Sequence, residues 1–238
     1  MHGPKVILFD LDNTLYDFSA TWTQATFPII QDLLHGNGHS RDEAETLWPI
    51  FERINRVIFW HVDHGECPAA VGRQLRWELL GALVDVPIDF DAVYTRHLHA
   101  MMSCVPFPDA QLVIHTLSQH YQLGIVTNGP EDLITKRLEA IGLDHYFPPS
   151  ARISGERAGA LKPQPAIFHK ALTALHSEAQ DALYIGDSWD YDVIGASNAH
   201  IPCIWFNPQH RDCPDPRLIV QEIASLGDLL RSQWITVP

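Results

Sequence analysis

Four short apolar runs with amphipathic stretches between them, and an all-helical block after the first run, predict an α/β protein: a Rossmann-like parallel sheet with an inserted α-helical cap domain. Residues 5–9 form the first run, continuously apolar from Val6 and ending at Asp10, as in a strand buried on both faces. Similar runs recur at 123–127, 182–186 and 202–206. Between them, residues 109–119, 131–141, 165–175 and 190–198 read as helices. Strands alternating with helices require right-handed crossovers, hence parallel pairing.

The stretch 18–102 has helical periodicity and little strand signal. Ser40 and Glu43 have the spacing of a capping box, so a helix should start there, and Pro49 should bend or end it. Residues 55–60, 70–83 and 89–102 read as further helical pieces. The expected organisation is therefore a catalytic core from residues 1–17 and 103–238, with a helical cap from 18–102.

The chain has 238 residues, enough for one core and a smaller inserted domain. Its 16 basic and 29 acidic residues give a net charge of -13, which argues against nucleic-acid polymers and anionic membranes as partners. A small anionic substrate stays compatible, because a metal ion reverses the local field. Cys67, Cys104, Cys203 and Cys213 form no CxxC pair and read as reduced, mostly buried thiols. The apolar run before Asp10 is too short for a signal peptide, and no run reaches the length of a membrane span. The expected location is the cytoplasm; the sequence does not specify an oligomeric state.

In an open parallel sheet, ligands sit beyond the carboxyl ends of the strands. Asp10 and Asp12 follow the first run, Thr127 and Asn128 end the second, and Asp187 follows the third. The segment Asp10-Leu11-Asp12-Asn13-Thr14 sets two carboxylates two positions apart, which requires a cation or a shared proton. Mg²⁺ suits hard oxygen ligands and leaves positions for water and phosphate. One carboxylate can then attack phosphorus while the other handles protons. Thr127, Asn128 and Gly129 offer a hydroxyl, an amide and a flexible backbone before a helix start, a site that can bind the phosphate of a substrate, and Lys162-Pro163 offers a cation followed by a rigid residue. After Gly186, Asp187 is the best placed ligand, with Asp190 or Asp192 available for metal waters or for pairing with Lys162.

Taken in order, these elements resemble the haloacid-dehalogenase-like hydrolase superfamily: DxDxT, a Ser or Thr ending a strand, a Lys, then GDxxxD. Phe107-Pro108-Asp109, Ile167-Phe168, Gly195-Ala196 and Asn198-Ala199, and the closing Ile223, Leu226, Leu229 and Leu230 extend the resemblance over nearly the whole chain. It implies Asp10 as nucleophile, Asp12 as general acid and base, and Thr127 and Lys162 as phosphate contacts. It also implies Mg²⁺ held by Asp10, the Asp12 main-chain carbonyl and Asp187. Dehalogenase members usually lack an acid at the Asp12 position, so Asp12 favours phosphoryl chemistry. The loop 154–161 is one residue longer than the superfamily pattern, so the reach of Lys162 is for the structure to decide.

Within the cap, Ile54-Asn55, Phe59, Gly65-Glu66 and Arg76-Trp77 are similar to the branch containing pyrimidine nucleotidases and acylneuraminate phosphatases, as is Trp205-Phe206-Asn207-Pro208 in the core. Asn55 and Arg76 are candidate substrate contacts, with an intra-cap hydrogen bond or salt bridge as the alternative. His61, His64, His97 and His99 lack further Cys or His ligands and read as surface or core residues. The expected activity is Mg²⁺-dependent hydrolysis of a small phosphomonoester, a nucleotide or sugar phosphate, through an aspartyl-phosphate. The rivals are a phosphomutase with the same intermediate and a non-catalytic binding or regulatory protein with the same fold.

Overall fold

The computed structural model describes residues 3–236. In chain order the elements are β1 (Val6–Phe9), α1 (Phe18–Gly36), α2 (Arg41–Asp63), α3 (Ala69–Val84), α4 (Phe90–Ala100), α5 (Ala110–Ser118), β2 (Gln122–Thr127), α6 (Glu131–Ala140), β3 (Arg152–Ser154), α7 (Gly155–Ala158), α8 (Pro165–Ala174), β4 (Ala182–Gly186), α9 (Ile194–Asn198), β5 (Cys203–Phe206) and β6 (Gln221–Ile223). They fall into two compact units, one of Met1–Phe18 with Cys104–Pro238 and one of Ser19–Ser103. Among the described residues, no helix is long and apolar enough to cross a membrane.

The first unit is a six-stranded parallel sheet in the order β3-β2-β1-β4-β5-β6. β1 lies in the middle because all four of its side chains are apolar and can be buried on both faces. Ile7 and Phe9 join α5 and α6 in one apolar cluster, with Val113, Ile114, Ile134 and Leu138. Val6 and Leu8 join α8 and α9 in another, with Ile167, Phe168, Ala171 and Ala196. Burying each such side chain contributes about 1.5–3 kcal/mol. The chain reverses direction across the sheet between β1 and β4, so Asp10 and Asp187 leave adjacent strands at the switch point.

The second unit is helical, with Ile29, Ile30, Leu34, Phe51, Trp77, Leu80 and Val93 forming its apolar centre. The Glu43 carboxylate accepts the Ser40 backbone N–H at 3.1 Å, half of the capping box that starts α2. Pro49 does not end this helix; α2 continues to Asp63 and absorbs the piece expected at 55–60. Ala44 and Phe51 in the apolar centre, with Leu47 and Trp48 against it, hold both sides of the proline and offset its cost of about 3 kcal/mol.

Candidate active site

The first turn after β1 is sharp. Asn13 takes a positive φ of 63°, a conformation Asn tolerates, and the Leu15 N–H returns to the Leu11 carbonyl at 3.0 Å. This turn gives the two aspartates different surroundings.

Asp10 is buried, and its Oδ1 accepts from Lys162 Nζ at 2.6 Å. Lys162 Nζ also donates to Asp192 Oδ1 at 2.7 Å, and the Tyr184 hydroxyl donates to the same oxygen at 2.7 Å. The second Asp192 oxygen accepts the Ser188 N–H at 2.9 Å. Gly186 makes this possible: a Cβ there would stand 2.4 Å from Asp192 Cγ. A π-helical turn, Trp189–Val193, points Asp192 back over the strand end, while Asp190 is exposed. Burial opposes the charge on Lys162, but Asp10 and Asp192 outweigh it and raise its pKa. Burial also raises the Asp10 carboxyl; Lys162 opposes this, and Asp192 and Asp12 add to it.

Lys162 reaches Asp10 despite the longer loop before it. Its backbone is clamped by Asn128, whose Oδ1 accepts the Lys162 N–H at 2.8 Å and whose Nδ2 donates to the Lys162 carbonyl at 3.1 Å. The Asn128 carboxamide is thus occupied by the lysine backbone, a task its sequence position did not suggest. Thr127 is buried at the end of β2, where its Oγ1 accepts the Gly129 N–H at 2.9 Å.

Asp12 has its own cation. Arg137 Nη1, from α6, donates to Asp12 Oδ1 at 2.9 Å and Oδ2 at 3.0 Å, and the Tyr16 hydroxyl donates to Oδ1. The Arg137 guanidinium is buried 5.5 Å from the centre of the Phe18 ring. Sequence reasoning missed Arg137, Tyr16 and Tyr184. A signal existed for Arg137: it sits on the stripe of Leu133, Ile134 and Leu138 that α6 buries, where a lone cation needs a partner.

Asp187 follows β4, its carbonyl held by Trp205 Nε1 at 2.9 Å and Arg211 Nη2 at 2.6 Å. Burial raises its carboxyl, Asp10 and Asp192 raise it further, and Lys162 and Arg211 only partly compensate. Carboxylate oxygens of Asp10, Asp187 and Asp192 lie within 4.8 Å of one another. Asp192 already accepts from Lys162, Tyr184 and Ser188, whereas Asp10 Oδ2 is buried with no hydrogen-bond partner among the described residues. A buried carboxylate oxygen without a donor, beside a second under-compensated carboxylate, fits a hard divalent cation.

In the helical unit, Arg76 Nη1 donates to Asn55 Oδ1 at 2.9 Å. Its guanidinium lies 4.6 Å from the Trp22 ring centre and 5.4 Å from that of Phe59, and Arg76 is 3% exposed. Burial, with Arg73 nearby, lowers its pKa to about 9. His61 pairs with Glu66 on the surface, His64 stacks on Trp60, and His97 is buried against Thr26 Oγ1. Cys67, Cys104, Cys203 and Cys213 are in the thiol form; Cys104 and Cys203 are buried, Cys67 and Cys213 half-buried.

A doubly wound sheet whose switch point gathers carboxylates and a lysine defines a Rossmann-type α/β hydrolase. The chain belongs to the haloacid dehalogenase-like hydrolase family, whose profile matches residues 7–206. It is 27% identical over 226 residues to the pyrimidine 5'-nucleotidase YjjG of Escherichia coli, covering 94% of this chain and 95% of that one. It is 24% identical over 239 residues to the N-acylneuraminate-9-phosphatase of Mus musculus, covering 96% and 94%. The magnesium-bound HAD-hydrolase YfnB of Bacillus subtilis shares the fold, with a TM-score of 0.80, 24% identity and coverage of 97% and 98%.

Proposed function

We propose that the protein is a Mg²⁺-dependent phosphatase that hydrolyses a small phosphomonoester through an aspartyl-phosphate on Asp10. The observation that carries this reading is the asymmetry of Asp10: one oxygen is fixed by Lys162, while the other is buried with no hydrogen-bond partner among the described residues. Asp10 Oδ2, the Asp12 main-chain carbonyl and Asp187 would hold Mg²⁺, which when bound supplies charge neutralisation to the phosphoryl oxygens.

The rest of the chemistry belongs to the chain. An Asp10 carboxylate oxygen bonds to phosphorus as the ester P–O bond breaks. The leaving oxygen keeps that electron pair and takes a proton from the Asp12 carboxyl. In the second half, Asp12 accepts a proton from water, the water oxygen bonds to phosphorus, and the bond to Asp10 breaks, restoring both aspartates. Lys162 balances charge on Asp10 and on the transferring group. Thr127 contacts phosphate, and Asn128 acts by fixing the Lys162 backbone. In this reading the unit Met1–Phe18 with Cys104–Pro238 is catalytic, and Ser19–Ser103 is the cap, with Asn55 and Arg76 contributing to substrate choice.

A nucleotide or a sugar phosphate is the substrate class supported by the relatives, a nucleotidase and an acylneuraminate phosphatase. A phosphate-release screen over nucleoside monophosphates, sugar phosphates and aryl phosphates, with and without Mg²⁺, tests the proposal. Mg²⁺-dependent release is expected. Conversion of a sugar monophosphate to its isomer without free phosphate would replace the reading with a phosphomutase.

A further inference from the structure

Arg137 is buried in the core unit, yet its only carboxylate partner among the described residues is Asp12. Its Nε is buried with no hydrogen-bond partner among the described residues, and beyond Asp12 the guanidinium lies against the Phe18 ring, 5.5 Å from its centre. One nitrogen, Nη1, bridges both Asp12 oxygens, at 2.9 and 3.0 Å, which fixes the plane of the carboxylate. The two oxygens are not equivalent. Oδ1 accepts from both Arg137 and Tyr16, whereas Oδ2 accepts only from Arg137 at the longer distance. Gly129 lies on the Oδ2 side: a Cβ there would stand 3.3 Å from that oxygen, so glycine leaves room beside it. The Asp12 side chain is 23% exposed, in contrast to Arg137 at 7%.

We infer that Arg137 is a positioning residue that, with Tyr16, orients Asp12 so that Oδ2 is the atom that gives up and regains the proton. The inference rests on the phosphatase reading and adds to it a residue and an atom. In the first half-reaction the proton on Oδ2 passes to the leaving oxygen as that oxygen keeps the electron pair of the broken P–O bond. In the second, Oδ2 takes a proton from the attacking water as the bond between phosphorus and Asp10 opens. Between these events Asp12 is a carboxylate, and the charge-assisted bond from Arg137 holds it in place. Tyr16 keeps the second oxygen occupied. Burial, followed by the neighbouring Asp12 charge, pushes the phenol up, so Tyr16 remains a donor throughout.

A purely structural Arg137 would anchor α6 and weaken every reaction alike. A positioning Arg137 matters in proportion to the need for proton transfer. The test uses the whole protein with Mg²⁺ and a series of phosphate esters from nitrophenyl, whose leaving group needs no proton, to alkyl, whose leaving group does. Arg137→Met should lower kcat/KM, which reports the steps up to formation of the aspartyl-phosphate and not its common hydrolysis, by about 10–100-fold on the alkyl ester and by less than about 3-fold on the nitrophenyl ester. Asp12→Asn should show the same dependence on leaving group, and adding Arg137→Met to it should cost nothing further. Tyr16→Phe should follow the pattern with a smaller loss. Arg137→Lys, which keeps a cation with less reach, should fall between wild type and Arg137→Met, and serves as the variant should the methionine protein not fold. Equal losses of kcat/KM on all esters, or a loss that adds in full to that of Asp12→Asn, overturns the assignment while leaving the phosphatase reading intact. A wild-type protein inert on every ester overturns both.

Discussion

Lys162 Nζ donates to Asp10 Oδ1 at 2.6 Å across 152 positions of sequence. The pair is completed by Asp192 at 2.7 Å, so one buried ammonium serves two carboxylates. Asp12 is balanced separately, by Arg137. The charge problem posed by two aspartates two positions apart is thus met in part by the chain's own cations, from different elements of the core. What remains is narrower: Asp10 Oδ2, which has no hydrogen-bond partner among the described residues, and Asp187, which Arg211 at 3.7 Å compensates only in part.

Removing Lys162 should destabilise the core strongly. Lys162→Met leaves Asp10 and Asp192 buried without a cation, a loss of about 3–5 kcal/mol. Adding Asp192→Asn should recover part of it, because one of the stranded charges is gone. Denaturant unfolding in chelator reads both. A Lys162→Met protein as stable as wild type would mean that the three groups do not form the ion cluster that their distances describe.

Asp10 and Asp12 should fail differently although they share one turn. Asp10→Asn should form no phosphoenzyme, since the attacking oxygen pair is lost. Asp12→Asn keeps the nucleophile and loses proton transfer, a step worth about 10²–10⁴-fold. It should therefore still label slowly at Asp10 with a good leaving group. Acid-quench labelling followed by peptide mapping separates the two. Label on another residue of the Asp10→Asn protein would show that the nucleophile lies elsewhere.

The parts of this fold that could be read from the sequence are those with two buried faces. β1, β2, β4 and β5 are runs of apolar residues in the interior of the sheet. β3 and β6 are three residues long, contain Arg152, Gln221 and Glu222, and lie at the two edges, where one side needs no apolar partner strand. Of the two outcomes expected at Pro49, a bend or an end, the end does not occur: local propensity favours it, while Phe51 and Trp48 pack to keep the helix. At the site, Asp10, Thr127 and Asp187 were visible because each stands directly at or after a strand end. Arg137 and Tyr184 were not, because nothing local shows that a residue on α6 meets Asp12 125 positions away, or that a tyrosine inside an apolar strand donates to Asp192.

Mg²⁺ should stabilise the protein through Asp187. Asp187 is pushed toward its protonated form by burial and by Asp10 and Asp192, so its charge opposes folding in the absence of a metal. Asp187→Asn should therefore raise the melting temperature measured in chelator. The same change should remove the upward shift that Mg²⁺ gives the wild type, which at 100 times the dissociation constant corresponds to about 2.7 kcal/mol. Thermal melts of both proteins, with chelator and across Mg²⁺ concentrations, make the comparison. An Asp187→Asn protein that keeps the full Mg²⁺ shift would remove Asp187 from the metal site.

Arg76 tests whether the helical unit chooses the substrate. Its guanidinium is buried, hydrogen-bonded to Asn55 and flanked by Trp22 and Phe59, and no carboxylate among the described residues neutralises it. A cation held this way either serves the packing of its own unit or waits for an anionic or polar group of the substrate. The two roles differ in what truncation does to selectivity. Arg76→Ala should be compared on a nucleoside monophosphate, a sugar phosphate and a small aryl phosphate. Remote binding energy assists the transition state only for substrates large enough to supply it, so the aryl phosphate should lose least. If one class of physiological ester loses about tenfold more kcat/KM than the other, roughly 1.4 kcal/mol of differential stabilisation, that class is the one Arg76 recognises. An equal loss on all three, together with a lower melting temperature, assigns Arg76 to packing, with Trp22, Phe59 and Asn55 as its reason for being there. Arg76→Lys sharpens the reading: it keeps the charge but not the planar fork that can hydrogen-bond Asn55 and lie over a ring together. Selectivity retained in the lysine variant would mean that charge alone is read, and selectivity lost in it would mean that the geometry of the guanidinium is read.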